Sequence, residues 1–277
     1  MEKILLVINA HQPDMASIGF ACRLSAITGT TLTGLFIENV FFQPIPADSL
    51  EGVSYFKTVR ENASHPVTAD TEQAIRLFKE ECQRKGINTE IYMDKGEPAE
   101  EVIFESRFAD LLVLDAGTHF YENDEHVPSH FIKEILARAE CPILLAPGIM
   151  EEEIDEIVFC YDGSASSVFA IKQFTYLLPI FAGKKALLLE VNSSGNISFD
   201  EGHRRMMEWL RSHYHSVYFH SLKGDVQDEL FIYFFMKRKK IIVMGAYGRS
   251  MLSSLFRKSN ADMLMESVNL PLFITHH

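Results

Sequence analysis

The 277-residue chain lacks most of the short motifs that announce an enzyme. It has no G-x-G-x-x-G turn after its first apolar run, which argues against a dinucleotide dehydrogenase. It has no G-x-x-x-x-G-K-[ST] loop, no H-E-x-x-H and no G-x-S-x-G, and no side chain stands out as a nucleophile beside a general base. Its apolar runs all fall short of the roughly 20 residues that span a bilayer. The N-terminus, MEKILLVINAHQPD, has no basic leader and no small-residue cleavage site, so it reads as a first β-strand. Cysteine is scarce and scattered (Cys22, Cys82, Cys141, Cys160), without C-x-x-C or metal spacing. That pattern predicts reduced thiols in a cytoplasmic protein. Histidine is more frequent, and four lie between His203 and His220, but no carboxylate or cysteine completes a ligand set at a familiar spacing. We therefore expect no metal site and solvated histidines, with His213 and His215 on one strand face.

Positive charge is also short. The formal net charge is −12, which argues against nonspecific nucleic-acid binding. Nearly all of the deficit lies in residues 1–150, and much of the acid in the second half sits in the run Glu151-Glu152-Glu153-Ile154-Asp155-Glu156. An anionic ligand is electrostatically easier to place in the second half.

What the chain does have is an internal duplication. Lys3-Ile-Leu-Leu-Val-Ile-Asn-Ala10 matches Glu156-Ile-Val-Phe-Cys-Tyr-Asp-Gly163, and Lys95-Gly-Glu-Pro-Ala-Glu-Glu101 matches Lys223-Gly-Asp-Val-Gln-Asp-Glu229. Leu111–Leu114 matches Ile241–Met244, and Cys141-Pro-Ile-Leu-Leu-Ala146 matches Leu270-Pro-Leu-Phe-Ile-Thr275. The first copy carries about 25 extra residues near 40–68. The copies divide as residues 1–148 and 153–277.

Runs such as LLVL and IIVM are apolar at every position, as strands buried on both faces are. They alternate with stretches of helical period. In the second half this predicts strands near 156–161, 185–191, 216–221, 241–244 and 271–275, and helices near 165–181, 201–213, 225–238 and 259–267. The predicted fold is α/β: two tandem domains, each an open five-stranded parallel sheet flanked by helices in a Rossmann-like three-layer arrangement. Lys237-Arg238-Lys239-Lys240 reads as a helix C-terminus complementing the helix dipole. Ile143–Ala146 and Leu272–Thr275 are expected to be edge strands that pair with each other or with a second copy.

In open parallel sheets ligands sit at the carboxyl ends of strands where the strand order reverses. Two loops of the second half frame that crevice. Asp162-Gly163-Ser164 follows the first strand; its carboxylate either accepts from a ligand or makes a local turn bond ahead of a capped helix. Gly245-Ala-Tyr-Gly248 follows the fourth strand, and Ser259-x-x-Asp262 has the form of a helix capping box. Arg249, Arg257 and Lys258 stand close to that helix start and suit an anion.

The repeat, Asp162-Gly163-Ser164 and the 241–275 segment together resemble the universal stress protein family, as a tandem member covering nearly the whole chain. The resemblance implies a five-stranded α/β fold of the adenine nucleotide alpha hydrolase type and a role in stress-response regulation. It implies ATP or a related adenine nucleotide, with Mg²⁺, in the C-terminal domain only. By the same resemblance, Asp162 contacts the nucleoside and Val191 lies near the base. Gly245, Gly248, Arg249, Lys258 and Ser259 surround the phosphates, Lys258 standing where the family's third glycine belongs. The first half departs further: Asn9-Ala10-His11 replaces Asp-Gly-Ser, and Asp115 puts a carboxylate at the phosphate position. No nucleotide is expected there. Family members pair through their last strands, so domain pairing within the chain and a homodimer through those edges are expected, with no membrane partner. The competing reading is a nucleotide-independent interaction protein; weak ATP hydrolysis is a third.

Overall fold

The computed structural model describes residues 1–38, 68–94, 96–120, 128–148, 153–192, 199–245 and 269–275. The first half supplies β1 (Lys3–Asn9), α1 (Met15–Thr28), β2 (Thr31–Ile37), α2 (Ala69–Lys85), β3 (Thr89–Asp94), α3 (Pro98–Ser106), β4 (Leu111–Asp115), α4 (His130–Arg138) and β5 (Ile143–Ala146). The second supplies β6 (Glu156–Cys160), α5 (Ala165–Leu177), β7 (Lys185–Asn192), α6 (Glu201–Arg211), β8 (Ser216–Lys223), α7 (Val226–Phe234), β9 (Lys240–Gly245) and β10 (Leu272–Thr275). The helix expected near 259–267 and the extra segment of the first half, apart from Thr68, lie outside the described residues.

All ten strands form one sheet in the order β3-β2-β1-β4-β5-β10-β9-β6-β7-β8. Pairing is parallel within each half, and the halves join where β10 runs antiparallel to β5, Phe273 opposite Leu144. The two apolar strands expected at edges do pair within the chain. All four residues of each are buried. Because β5 lies between β4 and β10, and β10 between β5 and β9, neither last-strand edge is left for a second copy. The expected homodimer through those edges is thereby corrected: the internal copy has taken the partner's place. The outer strands are β3 and β8, whose burial varies along the strand in place of the unbroken burial of β5 and β10.

Alternate residues of each inner strand feed two cores, one on each face. Ile4, Leu6 and Ile8 of β1 join Phe36, Phe78, Phe159, Phe174 and Phe273 under the face carrying α1, α2, α5 and α6. Leu5 and Val7 join Leu114, Phe131, Met244, Leu230 and Phe234 under the face carrying α3, α4 and α7. Each core runs through both halves, because the β5–β10 ladder leaves no gap in the sheet.

Glu100 and Glu101 lie in the first turn of α3, where negative charge suits the helix dipole. Glu97 caps α3, its side chain accepting from Glu100 N, with Pro98 in the first turn. The basic run 237–240 does not end a helix. α7 stops at Phe234, and the chain turns left-handed at Met236 (φ 58°) and Lys239 (φ 55°). Lys240 opens β9 and pairs with Glu156, and Lys239 Nζ lies 3.9 Å from Asp155. Lys184 reaches Glu153 at 2.8 Å. The tail of the acidic run therefore answers basic residues brought in by neighbouring strands.

Candidate functional site

The strand order of the second half reverses between β9 and β6, so the candidate crevice opens beyond Cys160 and Gly245. The chain leaves β6 through Tyr161 and the exposed Asp162. Asp162 Oδ1 accepts from Ser164 N at 3.0 Å, closing a tight turn across Gly163. Gly163 has φ 76°, a conformation that a side chain disfavours. Ser164 then caps α5: its Oγ accepts from Ser167 N at 3.1 Å. The local-turn alternative for Asp162 is thus realised, and it leaves the carboxylate at the exposed mouth of the crevice.

Gly245 ends β9 against the first turn of α5. A Cβ at this position would stand 2.3 Å from Ser166 Oγ and 2.6 Å from the Ser166 carbonyl carbon and oxygen. Only glycine lets strand and helix approach this closely. The residue is accounted for by packing, whatever else it does. Val191, near the end of β7, is half-buried against the core beneath α7 and pairs with Leu222. Gly248, Arg249, Lys258 and Ser259 lie outside the described residues.

The equivalent crevice of the first half holds a cavity of about 160 Å³ between the ends of β1 and β4, with Asn9, Gln12, Asp14, Ser17, Asp115 and His119 among its lining residues. Asp115 Oδ2 accepts from Gly117 N at 2.8 Å. Burial, with the nearby Asp14 carboxylate adding to it, raises the Asp115 carboxyl above its ordinary range. Asp14 caps α1 by accepting from Ala16 N and Ser17 N. Asn9, in the place of Asp162, spends its amide on the protein itself: Nδ2 donates across the crevice to His119 O at 2.8 Å and Oδ1 accepts locally from His11 N at 3.0 Å. Ser129 Oγ donates to Thr118 O at 2.5 Å and caps α4 through Ile132 N. A site walled by two carboxylates disfavours phosphate on Coulombic grounds.

One polar cluster was not anticipated. His203 is buried, against the expectation of solvated histidines. Its Nε2 lies 3.0 Å from Glu190 Oε1 and its Nδ1 2.8 Å from Asp200 Oδ1. Ser221 Oγ donates to the other Glu190 oxygen at 3.2 Å. Tyr161 and Phe219 pack edge-on to the imidazole. Burial, with the charges of Asp200, Asp162 and Glu190, raises the Tyr161 phenol. The cluster ties the start of α6 to the carboxyl ends of β6, β7 and β8, beside the crevice. The spacing Asp200-x-x-His203 was its one legible signal, since both residues form a capping box. His213 and His215 both precede β8, so they do not share a strand face. Among the described residues no group of three or more His, Cys, Asp or Glu side chains is placed to hold a metal ion. No described helix is long and apolar enough to cross a membrane.

No protein-family model matches the chain, and no curated protein matches it. Solved structures do. A universal stress protein from Archaeoglobus fulgidus superposes over 99% of this chain and 98% of its own, with a TM-score of 0.67 at 14% identity. This chain has the universal stress protein fold. A functionally unknown protein from Pseudomonas aeruginosa matches over 100% of this chain and 92% of its own, with a TM-score of 0.62 at 14% identity. Both matches run the length of the duplication, so the universal stress protein fold covers both halves.

Proposed function

We propose that the chain is a stress-response regulatory protein of the universal stress type, and that its second half takes ATP or a related adenine nucleotide with Mg²⁺. The supporting observation is the contrast between the two crevices at the strand reversals. In the second half the exposed Asp162 stands at the mouth, beside the capped start of α5, while the neighbouring Glu190 and Asp200 carboxylates are engaged by His203. In the first half Asp14 and Asp115 both line the corresponding space. The two carboxylates disfavour phosphate in the first half. In this reading Asp162 accepts from the nucleoside through the oxygen that Ser164 does not use, and Val191 borders the base. Gly248, Arg249, Lys258 and Ser259 serve the phosphates.

Titration calorimetry of the full chain with Mg-ATP tests the reading. Asp162→Ala should weaken binding by about tenfold or more, the usual effect of losing a charged hydrogen bond. Ser164→Ala, which loosens the same turn without removing the carboxylate, should weaken it much less. Equal losses in the two variants would mean that Asp162 acts only through the turn.

A second reading, a nucleotide-independent interaction protein, is favoured by one set of observations. Asp162, Ser164 and Gly245 each have a complete local role in folding. Absence of heat and of any thermal shift at millimolar Mg-ATP would establish this reading over the first.

A further inference from the structure

Two of the four cysteines meet. Cys22 lies in the middle of α1 and Cys82 in the last turns of α2, 60 residues apart in sequence, and their sulfurs are 3.5 Å apart. Both are buried, at 0% and 2% exposure, in the core beneath these helices. Cys141 and Cys160 belong to the core on the opposite face, with the sheet between the two sets. The contact is therefore specific to one pair. A disulfide bond is about 2.05 Å long, so closure requires the sulfurs to approach by roughly 1.5 Å.

We propose that Cys22 and Cys82 form a reversible intramolecular disulfide when the protein meets hydrogen peroxide, making the α1–α2 contact an oxidation-sensitive clasp. Cys22 is the better first nucleophile. The contact with Cys82 lowers its thiol below the ordinary value, and the positive charges of Lys85 and Arg84, which lie beside it, act in the same direction, while Cys82 is raised. The Cys22 thiolate attacks one peroxide oxygen, the O–O bond breaks, and a sulfenic acid and hydroxide result. The Cys82 sulfur then attacks the Cys22 sulfur. The S–O bond breaks, and the departing hydroxide takes the Cys82 proton. In sum two thiols lose two electrons and two protons, and one peroxide becomes two waters. Cys141 and Cys160 cannot follow this route: burial pushes each thiol up to about 12, and neither has a sulfur partner among the described residues. The bond would tie α1, whose first turn walls the first-half cavity through Asp14 and Ser17, to its neighbour.

The test is hydrogen peroxide treatment of the folded full-length protein, followed by alkylation in guanidinium and intact-mass and peptide mapping. Untreated protein should take four alkyl groups, one per cysteine. Treated protein should take two, with a linked Cys22–Cys82 peptide, and dithiothreitol should restore all four. The thermal midpoint should rise by several degrees on oxidation, because the link constrains the unfolded chain. The double variant Cys141→Ser/Cys160→Ser should keep the link, and Cys82→Ser should lose it. Four reactive thiols after treatment would overturn the proposal, as would a link through Cys141 or Cys160 or one formed only in denaturant. Should Cys82→Ser fail to fold, the wild-type peptide map decides alone.

Discussion

Two residues carry more than their sequence context suggested. Gly245 reads as part of a phosphate loop, yet a methyl group there would overlap Ser166 side chain and backbone. Gly245→Ala should therefore destabilise the protein by about 1–3 kcal/mol through overpacking, measured as a lower urea midpoint. Removing the Ser166 hydroxyl with Ser166→Ala should recover only part of the loss, because the backbone overlap remains. Asp115 is the second. Its folded-state carboxyl is raised above the unfolded value of 3.8, so protonation favours the folded state and the charged form costs stability as pH rises. Asp115→Asn keeps an acceptor for Gly117 N and removes that charge. It should stabilise the protein at pH 7, and the gain should vanish as pH falls below 3.8, where wild type is protonated in both states. A pH-independent gain would locate the effect elsewhere. Asp162 was legible as a turn residue from Asp-Gly-Ser alone. The Glu190–His203–Asp200 cluster was not, because Glu190 and His203 belong to separate elements and meet only through packing.

Helix ends show how far local sequence goes. α1 and α2 both close on a left-handed glycine, Gly29 (φ 67°) and Gly86 (φ 66°), as a glycine after an apolar period predicts. α7 makes the same kind of ending with a residue that resists it: Met236 is left-handed at φ 58° and largely exposed, and Lys237 N donates back to Phe234 O at 2.9 Å. The helical period extends past this point in sequence, which is why 225–238 reads as one helix. Met236→Gly should stabilise the protein by up to about 1 kcal/mol, since only backbone strain is removed. Thermal melts would register this as a rise in midpoint; a fall would mean that the Met236 side chain packs in a way its exposure does not indicate.

Across the whole molecule, the ladder between β5 and β10 makes one folding unit of two copies. Phe273 pairs with Leu144 across the junction and packs edge-on against Phe174 of α5 at 5.2 Å between ring centres, fully buried. Phe273→Ala should cost about 3–5 kcal/mol. Unfolding should remain a single transition, with fluorescence of the sole tryptophan, Trp209 in the second half, coincident with far-UV circular dichroism from both halves. Two separated transitions would show that the junction does not couple the copies.

The sequence by itself determined the duplication, the parallel α/β class and the positions of most second-half strands. Those features depend on periodicity and burial, which neighbouring residues encode. It also put the Asp115 carboxylate at the phosphate position of the first half, because Asp115 closes an apolar run that matches Ile241–Met244; that Asp14 joins it there is known only from the packing. Only the tertiary structure decided that the last-strand edges satisfy each other, that Gly245 is held by Ser166, that His203 lies between two carboxylates, and that Cys22 meets Cys82. Each depends on the separation of groups dozens of residues apart, a distance set by how the layers pack.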